Sequence, residues 1–146
     1  MDLVSNFIVS EANIMETGGL GKEYQSGEFI FQQGDAEERM YVVMEGRVEL
    51  FVDRDGTEVS LGLRKEGDFL GESALFVGEL RSSSARTLGS ARVLTIDRRT
   101  FLRHIQADPT LAFRLVETLS LRIKELDQDV IVLSQALQDC MGERFG

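Results

Sequence analysis

Glycine is confined to one part of this chain. Of its 14 glycines, all but Gly142 and Gly146 fall between Gly18 and Gly89, and none occurs from Ser90 to Met141. Glycine punctuates turns and is costly inside helices, so the shift predicts a turn-rich β section followed by helices. The runs within the first section are short and apolar. Phe29-Ile30-Phe31 ends at Gly34-Asp35, and the run from Met40 to Met44 ends at Glu45-Gly46. Val48, Leu50 and Val52 then alternate with Arg47, Glu49, Phe51 and Asp53. Asp55-Gly56 reads as a tight hairpin turn, and Val59, Leu61 and Leu63 resume the alternation on the return strand. Glu66-Gly67-Asp68 turns the chain into Phe69-Leu70, and strand character returns near Ala85–Leu88 and Arg92–Asp97. About eight short strands at this spacing read as an eight-stranded jelly-roll β-barrel.

After Asp97 the period changes. Phe101, Leu102 and Ile105 lie at helical spacing, and Asp108-Pro109 ends that helix and starts another. The new helix carries a heptad pattern. Val116, Ile123, Val130 and Leu137 fall at a, and Leu119, Leu126, Leu133 and Cys140 fall at d. Mostly β-branched residues at a with Leu at d favour a parallel two-stranded coiled coil, with Arg122 at g facing Asp127 at e of the partner. The expected organisation is therefore a mainly β module over 1–108 with short flanking helices, and a dimerisation helix over 109–146. Its homodimer contact is expected through residues 112–140. Leu3, Val4, Phe7, Ile8, Ile14 and Met15 suggest a short N-terminal helix within residues 1–20.

Composition excludes several functions. One cysteine forbids a disulfide framework, an iron–sulfur site or an all-cysteine zinc site within one chain, and one histidine argues against a metal centre. The lone His104 sits in the helical region and reads as structural. A net charge of −9 makes binding to DNA or RNA by the module alone unfavourable, because that affinity comes from Lys and Arg neutralising phosphates. Residues 71–109 are the exception, with six basic and four acidic side chains, so a small anion could be held there. No apolar run reaches the roughly 20 residues needed to span a bilayer. Met1-Asp2-Leu3-Val4 lacks the basic lead of a secretory signal, so the expectation is a soluble, cytoplasmic protein with no membrane partner.

The segment from Phe69 to Ala85 carries the chemistry. A glycine, Gly71, precedes one turn of helix, and a second glycine, Gly78, follows it. A helix starting after Gly71 directs unsatisfied N–H groups at whatever lies before it. Arg81 could grip a phosphate with two nitrogens, and Ser82 adds a hydroxyl donor beside it. Glu72 suits an anionic ligand only if that ligand also offers a hydroxyl, as a ribose does. Each residue alone has a plainer reading: a first-turn acid, a solvated loop charge, turn glycines.

Together, Gly71-Glu72-x-Ala74-Leu75-x-x-Gly78-x-x-Arg81-Ser82 resembles the phosphate-binding cassette of the cyclic-nucleotide-binding domain. That module occurs in the catabolite activator family, in regulatory subunits of cyclic-AMP-dependent kinase and in cyclic-nucleotide-gated channels. The resemblance extends to Gly27-Glu28-x-Ile30-Phe31-x-x-Gly34-Asp35, to Tyr41-x-Val43-x-x-Gly46-x-Val48 and to Asp108-Pro109. Ser26 stands where the family often has proline. The resemblance implies an eight-stranded jelly roll with flanking helices. It implies that Glu72 accepts the ribose 2′-hydroxyl, and that Arg81 pairs with the cyclic phosphate, helped by Ser82 and N–H groups near Gly71 and Ala74. For the base, the corresponding part of the dimer helix holds Leu126-Asp127, with Arg122 one turn earlier. Asp127 could meet adenine or guanine, or only pair with Arg122 across the dimer.

The expected function is a regulatory sensor of cyclic AMP or cyclic GMP that signals through the C-terminal helix dimer, without cofactor, metal or catalysis. A ligand-blind dimerisation scaffold of the same fold is the alternative, and a metal-binding cupin-type enzyme is a weaker third. Catabolite-activator relatives append a winged helix-turn-helix after this helix, and here only Met141–Gly146 follow it, so the expectation is either a stand-alone sensor or a chain cut at the end of the coil, before an output domain.

Overall fold

Two long strands organise the β section. The computed structural model describes residues 21–145. In chain order these form β1 (Lys22–Tyr24), β2 (Phe29–Phe31), β3 (Arg39–Arg54), β4 (Thr57–Lys65), β5 (Phe69–Leu70), α1 (Glu72–Phe76), β6 (Ser84–Asp97), α2 (Arg98–Ala107) and α3 (Thr110–Phe145). Every strand pairing is antiparallel. The ladder runs β1-β6-β3-β4, with β2 also on β6 and β5 also on β3.

The 16-residue β3 and the 14-residue β6 pair along most of their length, but their register shifts on both sides of Glu45. Gly46 makes that irregularity possible. Its φ is +86°, and a Cβ there would stand 2.5 Å from the Ser90 carbonyl oxygen and 2.9 Å from Ala91. Before this point β3 pairs with β5 and with the second half of β6, which also carries β1. After it, β3 pairs with β4 and with the first half of β6, which also carries β2. Both halves feed one core. Tyr24, Tyr41, Val43, Leu70 and Val93 come from the first, and Ile30, Phe31, Val48, Leu50 and Ala85 from the second. Val43, Val48 and Val93 are wholly buried, and full burial of such a side chain contributes roughly 1.5–3 kcal/mol.

The number of strands differs from expectation. Met40–Met44 and Val48–Val52 are one strand, as are the segments around Ala85–Leu88 and Arg92–Asp97, so the described residues form six strands. Gly46 and Gly89, which read as turns, lie within continuous strands as positive-φ residues. Among the described residues the ladder is not closed, so the eight-stranded barrel is corrected to an open, six-stranded antiparallel sheet. The Asp55-Gly56 turn is as expected, with φ of +54° and +84°, the signs a type I′ hairpin requires.

β4 also departs from the simple pattern. Leu50 pairs with Gly62 and Phe51 with Ser60, leaving Leu61 as the extra residue of a bulge. Val59, Leu61 and Leu63 are 44%, 53% and 49% exposed, while Gly62 and Arg64 are partly buried. All three apolar side chains of this strand are therefore exposed.

The helices start where side chains satisfy their first N–H groups. Asp97 Oδ1 accepts the Thr100 N–H at 2.7 Å before α2, and Asp108 Oδ1 accepts the Thr110 N–H at 3.1 Å before α3. α1 packs on β3 and α2 on β6. An edge-on contact of Phe76 with Phe101, 5.0 Å between ring centres, links α1 to α2. His104 is buried on α2.

The chain divides into two compact units between Ala107 and Asp108. The second unit is essentially α3, 36 residues without a break. Val116, Ile123, Leu126, Val130, Leu133 and Leu137 are all exposed on it. Among the described residues no helix is long and apolar enough to cross a membrane. The short helix expected within residues 1–20 lies outside the described residues.

Candidate functional site

The site grows from the break in the strand pattern after β5. Phe69 and Leu70 are buried at the end of the strand, and Ala74 and Leu75 are buried on α1. These four apolar anchors fix a single helical turn. Gly71 joins strand to helix at φ +76°, and no side chain caps the helix start. The first N–H groups of α1 are therefore left for backbone, solvent or a ligand. Gly78, also at φ +76°, turns the chain back toward Arg81.

Arg81 is held from both ends. Its N–H donates to the Asp35 carbonyl at 2.8 Å, and its own carbonyl accepts the Gly34 N–H at 2.8 Å. Its side chain is buried, with the guanidinium carbon 4.4 Å from the Phe31 ring centre and 5.5 Å from that of Tyr41. Nη1 donates to the Gly71 carbonyl at 2.7 Å and Nη2 to the Arg39 carbonyl at 2.6 Å. Glu37 Oε2 lies 3.5 Å from Nη2 and accepts the Tyr41 hydroxyl at 3.0 Å. Burial, and then the charge of Glu37, push the Tyr41 phenol up to about 12. Arg81 Nε is shielded from solvent and has no hydrogen-bond partner. A buried cationic N–H without an acceptor is costly, and the Arg81 side chain borders a space that an anion would suit.

That space is a cavity of about 130 Å³. Gly71, Glu72, Ala74, Arg81 and Ser82, the residues singled out for sugar and phosphate, all line it. Arg122, Leu126 and Asp127, singled out for the base, lie on α3 in the second unit, where Leu126 is 61% exposed. Sequence reasoning missed Glu37, whose link to Arg81 and Tyr41 left no local signal. It also missed the ring slot of Phe31 and Tyr41, which were legible only as core residues. Arg64 lines the cavity as well, because the β4 bulge puts it among the partly buried residues of that strand. Among the described residues no cluster of His, Cys, Asp or Glu is arranged to hold a metal ion.

An enclosed guanidinium, serine hydroxyls, an uncapped helix start and one carboxylate make a receptor for a small anion bearing a hydroxyl. The family model of the cyclic nucleotide-binding domain matches residues 21–108, which contain every part of this cavity. The chain belongs to the cyclic nucleotide-binding domain family. The cyclic AMP receptor protein of Thermus thermophilus is 34% identical over 112 residues, covering 76% of this chain and 52% of that protein. The cAMP-activated global transcriptional regulator CRP of Salmonella typhimurium is 30% identical over 110 residues, covering 74% and 52%. The crystal structure of the Thermus thermophilus catabolite activator protein matches with a TM-score of 0.69 at 33% identity, covering 77% of this chain and 54% of that one. This cyclic nucleotide-binding domain chain thus spans about half the length of the curated relatives it matches.

Proposed function

We propose that this chain is a regulatory, non-enzymatic sensor that binds cyclic AMP in the cavity beside α1 and reports it through a homodimer of α3. One observation carries the reading: the buried Arg81, with an unpartnered Nε, shares a cavity with Gly71, Glu72, Ala74 and Ser82. In this reading Arg81 and Ser82 hold the cyclic phosphate together with N–H groups near Gly71 and Ala74. Glu72 accepts the ribose 2′-hydroxyl. The names of the two relatives above favour cyclic AMP over cyclic GMP. Arg122, Leu126 and Asp127 are the groups on α3 suited to meet the base.

The exposed heptad stripe of α3 supports a parallel dimer with contacts through residues 112–140. Ligand binding would bias the helices only through a difference in affinity between two packings. The acidic balance of the chain argues against nucleic acid as a direct partner of this module.

Titration calorimetry with cyclic AMP and cyclic GMP tests the proposal. Binding at micromolar concentration or below is expected, abolished in Arg81→Ala and weakened in Glu72→Ala. The 2′-deoxy analogue should bind as weakly to the wild type as the natural nucleotide binds to Glu72→Ala. Failure of both nucleotides to bind the wild type would overturn the sensor and favour the dimerisation scaffold. Tighter binding of cyclic GMP would reverse the choice of base.

A further inference from the structure

A second arginine lines the same cavity. Arg64 comes from β4, a different element from those that carry Arg81 and Glu72. The bulge at Leu61 leaves Leu61 and Leu63 exposed and puts Gly62 and Arg64 on the partly buried face. Arg64 Nη1 reaches only its neighbour's carbonyl, that of Leu63, at 3.2 Å. Its Nε is shielded from solvent and has no hydrogen-bond partner. Among the described residues Arg64 forms no ion pair, whereas Arg81, Arg86 and Arg92 each do. Two arginines, each with an unsatisfied Nε–H, therefore line one space.

The other residues lining that space indicate what they can meet. Arg64 shares its walls with Gly71, Glu72, Ala74, Arg81 and Ser82, the residues assigned above to the sugar-phosphate end. Ser73, Ser82 and Ser83 add three hydroxyls to the same walls.

We propose that Arg64 is a second phosphate-binding residue of this cavity, its guanidinium donating to one exocyclic oxygen of the cyclic ester while Arg81 engages the other. The inference rests on the reading of the cavity as a cyclic-nucleotide site. A singly charged ester spreads its charge over two oxygens, and two converging guanidiniums match that distribution. Affinity gained this way is independent of the base. An arginine reading guanine through O6 and N7 would instead discriminate between nucleotides.

The experiment is calorimetry on the wild type, Arg64→Met and Arg64→Lys. The ligands are cyclic AMP, cyclic GMP and the two diastereomeric phosphorothioates of cyclic AMP. Methionine keeps much of the apolar stem, lysine keeps the charge, and a thermal melt checks the fold of each. Arg64→Met should weaken both natural nucleotides about tenfold, and Arg64→Lys by less. Sulfur at the oxygen facing Arg64 should weaken binding to the wild type several-fold and cost Arg64→Met nothing further. The penalty for the other diastereomer should be the same in both proteins.

Unchanged affinity in Arg64→Met, a loss confined to cyclic GMP, or equal sulfur penalties in both backgrounds would each overturn the assignment. Those failures are separable from failure of the site itself, which would appear as a wild type that binds neither nucleotide. Should Arg64→Met fail to fold, Arg64→Lys carries the same comparison, with a reduced diastereomer preference expected.

Discussion

The Gly71 carbonyl accepts Arg81 Nη1 at 2.7 Å, and a side chain begun at Gly71 would stand 2.5 Å from that same nitrogen. One residue thus provides an acceptor for the guanidinium and leaves room for it. Gly71→Ala should displace Arg81 and weaken cyclic-nucleotide binding at least about tenfold. The positive φ adds a stability cost of about 1–2 kcal/mol. Calorimetry and urea unfolding on the same preparation measure the two effects, and full affinity in the variant would show that Arg81 does not need this position.

Tyr41 should make stability fall in alkali. Its phenol is held at about 12, against an ordinary value of 10.0, chiefly by burial and then by the charge of Glu37. A raised value means that the folded state keeps its proton where the unfolded chain has lost it. The contribution is complete below pH 10 and disappears as pH rises toward 12, with a slope of at most ~1.4 kcal/mol per pH unit. Urea unfolding of the wild type and Tyr41→Phe across that window should show a shallower decline in the variant.

Asp97 anchors the start of α2. Its carboxylate accepts the Thr100 N–H, which holds its pKa below the ordinary carboxylate value. Asp97→Ala should cost about 1 kcal/mol. A lowered pKa places the contribution above the unfolded value and removes it as pH falls through the folded one. The gap between wild type and variant should therefore narrow in acid, as read by thermal melts at pH 7 and below pH 3.

The α3 stripe should self-associate. Leu126, at a d position and 61% exposed, is the place to test it. In sedimentation equilibrium the wild type is expected as a dimer and Leu126→Asp as a monomer, with circular dichroism showing how far the helix survives. A monomeric wild type would remove the dimer from the proposed mechanism.

Gly46→Ala should rank among the costly single substitutions in the sheet. The added methyl carbon would meet the Ser90 carbonyl oxygen, a backbone atom, at 2.5 Å and at a φ of +86°. A loss of about 3 kcal/mol or more is expected in urea unfolding. A loss below 1 kcal/mol would mean that the two long strands can shift apart at little expense.

The β character, the hairpin at Asp55-Gly56 and the long helix were readable because each depends on local spacing. Gly71, Glu72, Ala74, Arg81 and Ser82, by contrast, were singled out as a set only through the resemblance to a family cassette. What was not readable depended on register. Gly46 and Gly89 looked like turns because a positive-φ glycine has the same sequence signature in a turn as in a bulge, and only the partner strand distinguishes them. Leu61 and Leu63 alternate as a buried face would, yet one unpaired residue exchanges the faces of β4 and turns Arg64 toward the cavity side. Glu37 was invisible for another reason. Its role depends on meeting Tyr41 and Arg81, and the Arg81 half of that contact is far away in sequence.

Arg81 is also tied to the loop after β2 by its own peptide groups, through reciprocal hydrogen bonds with Gly34 and Asp35 at 2.8 Å. A nucleotide that tugs on the guanidinium therefore loads a seam between two loops more than 40 positions apart, without needing any side chain in the receiving loop. Variation at residues 32–35 could accordingly retune how firmly the module answers its signal while leaving every atom that touches the signal unchanged.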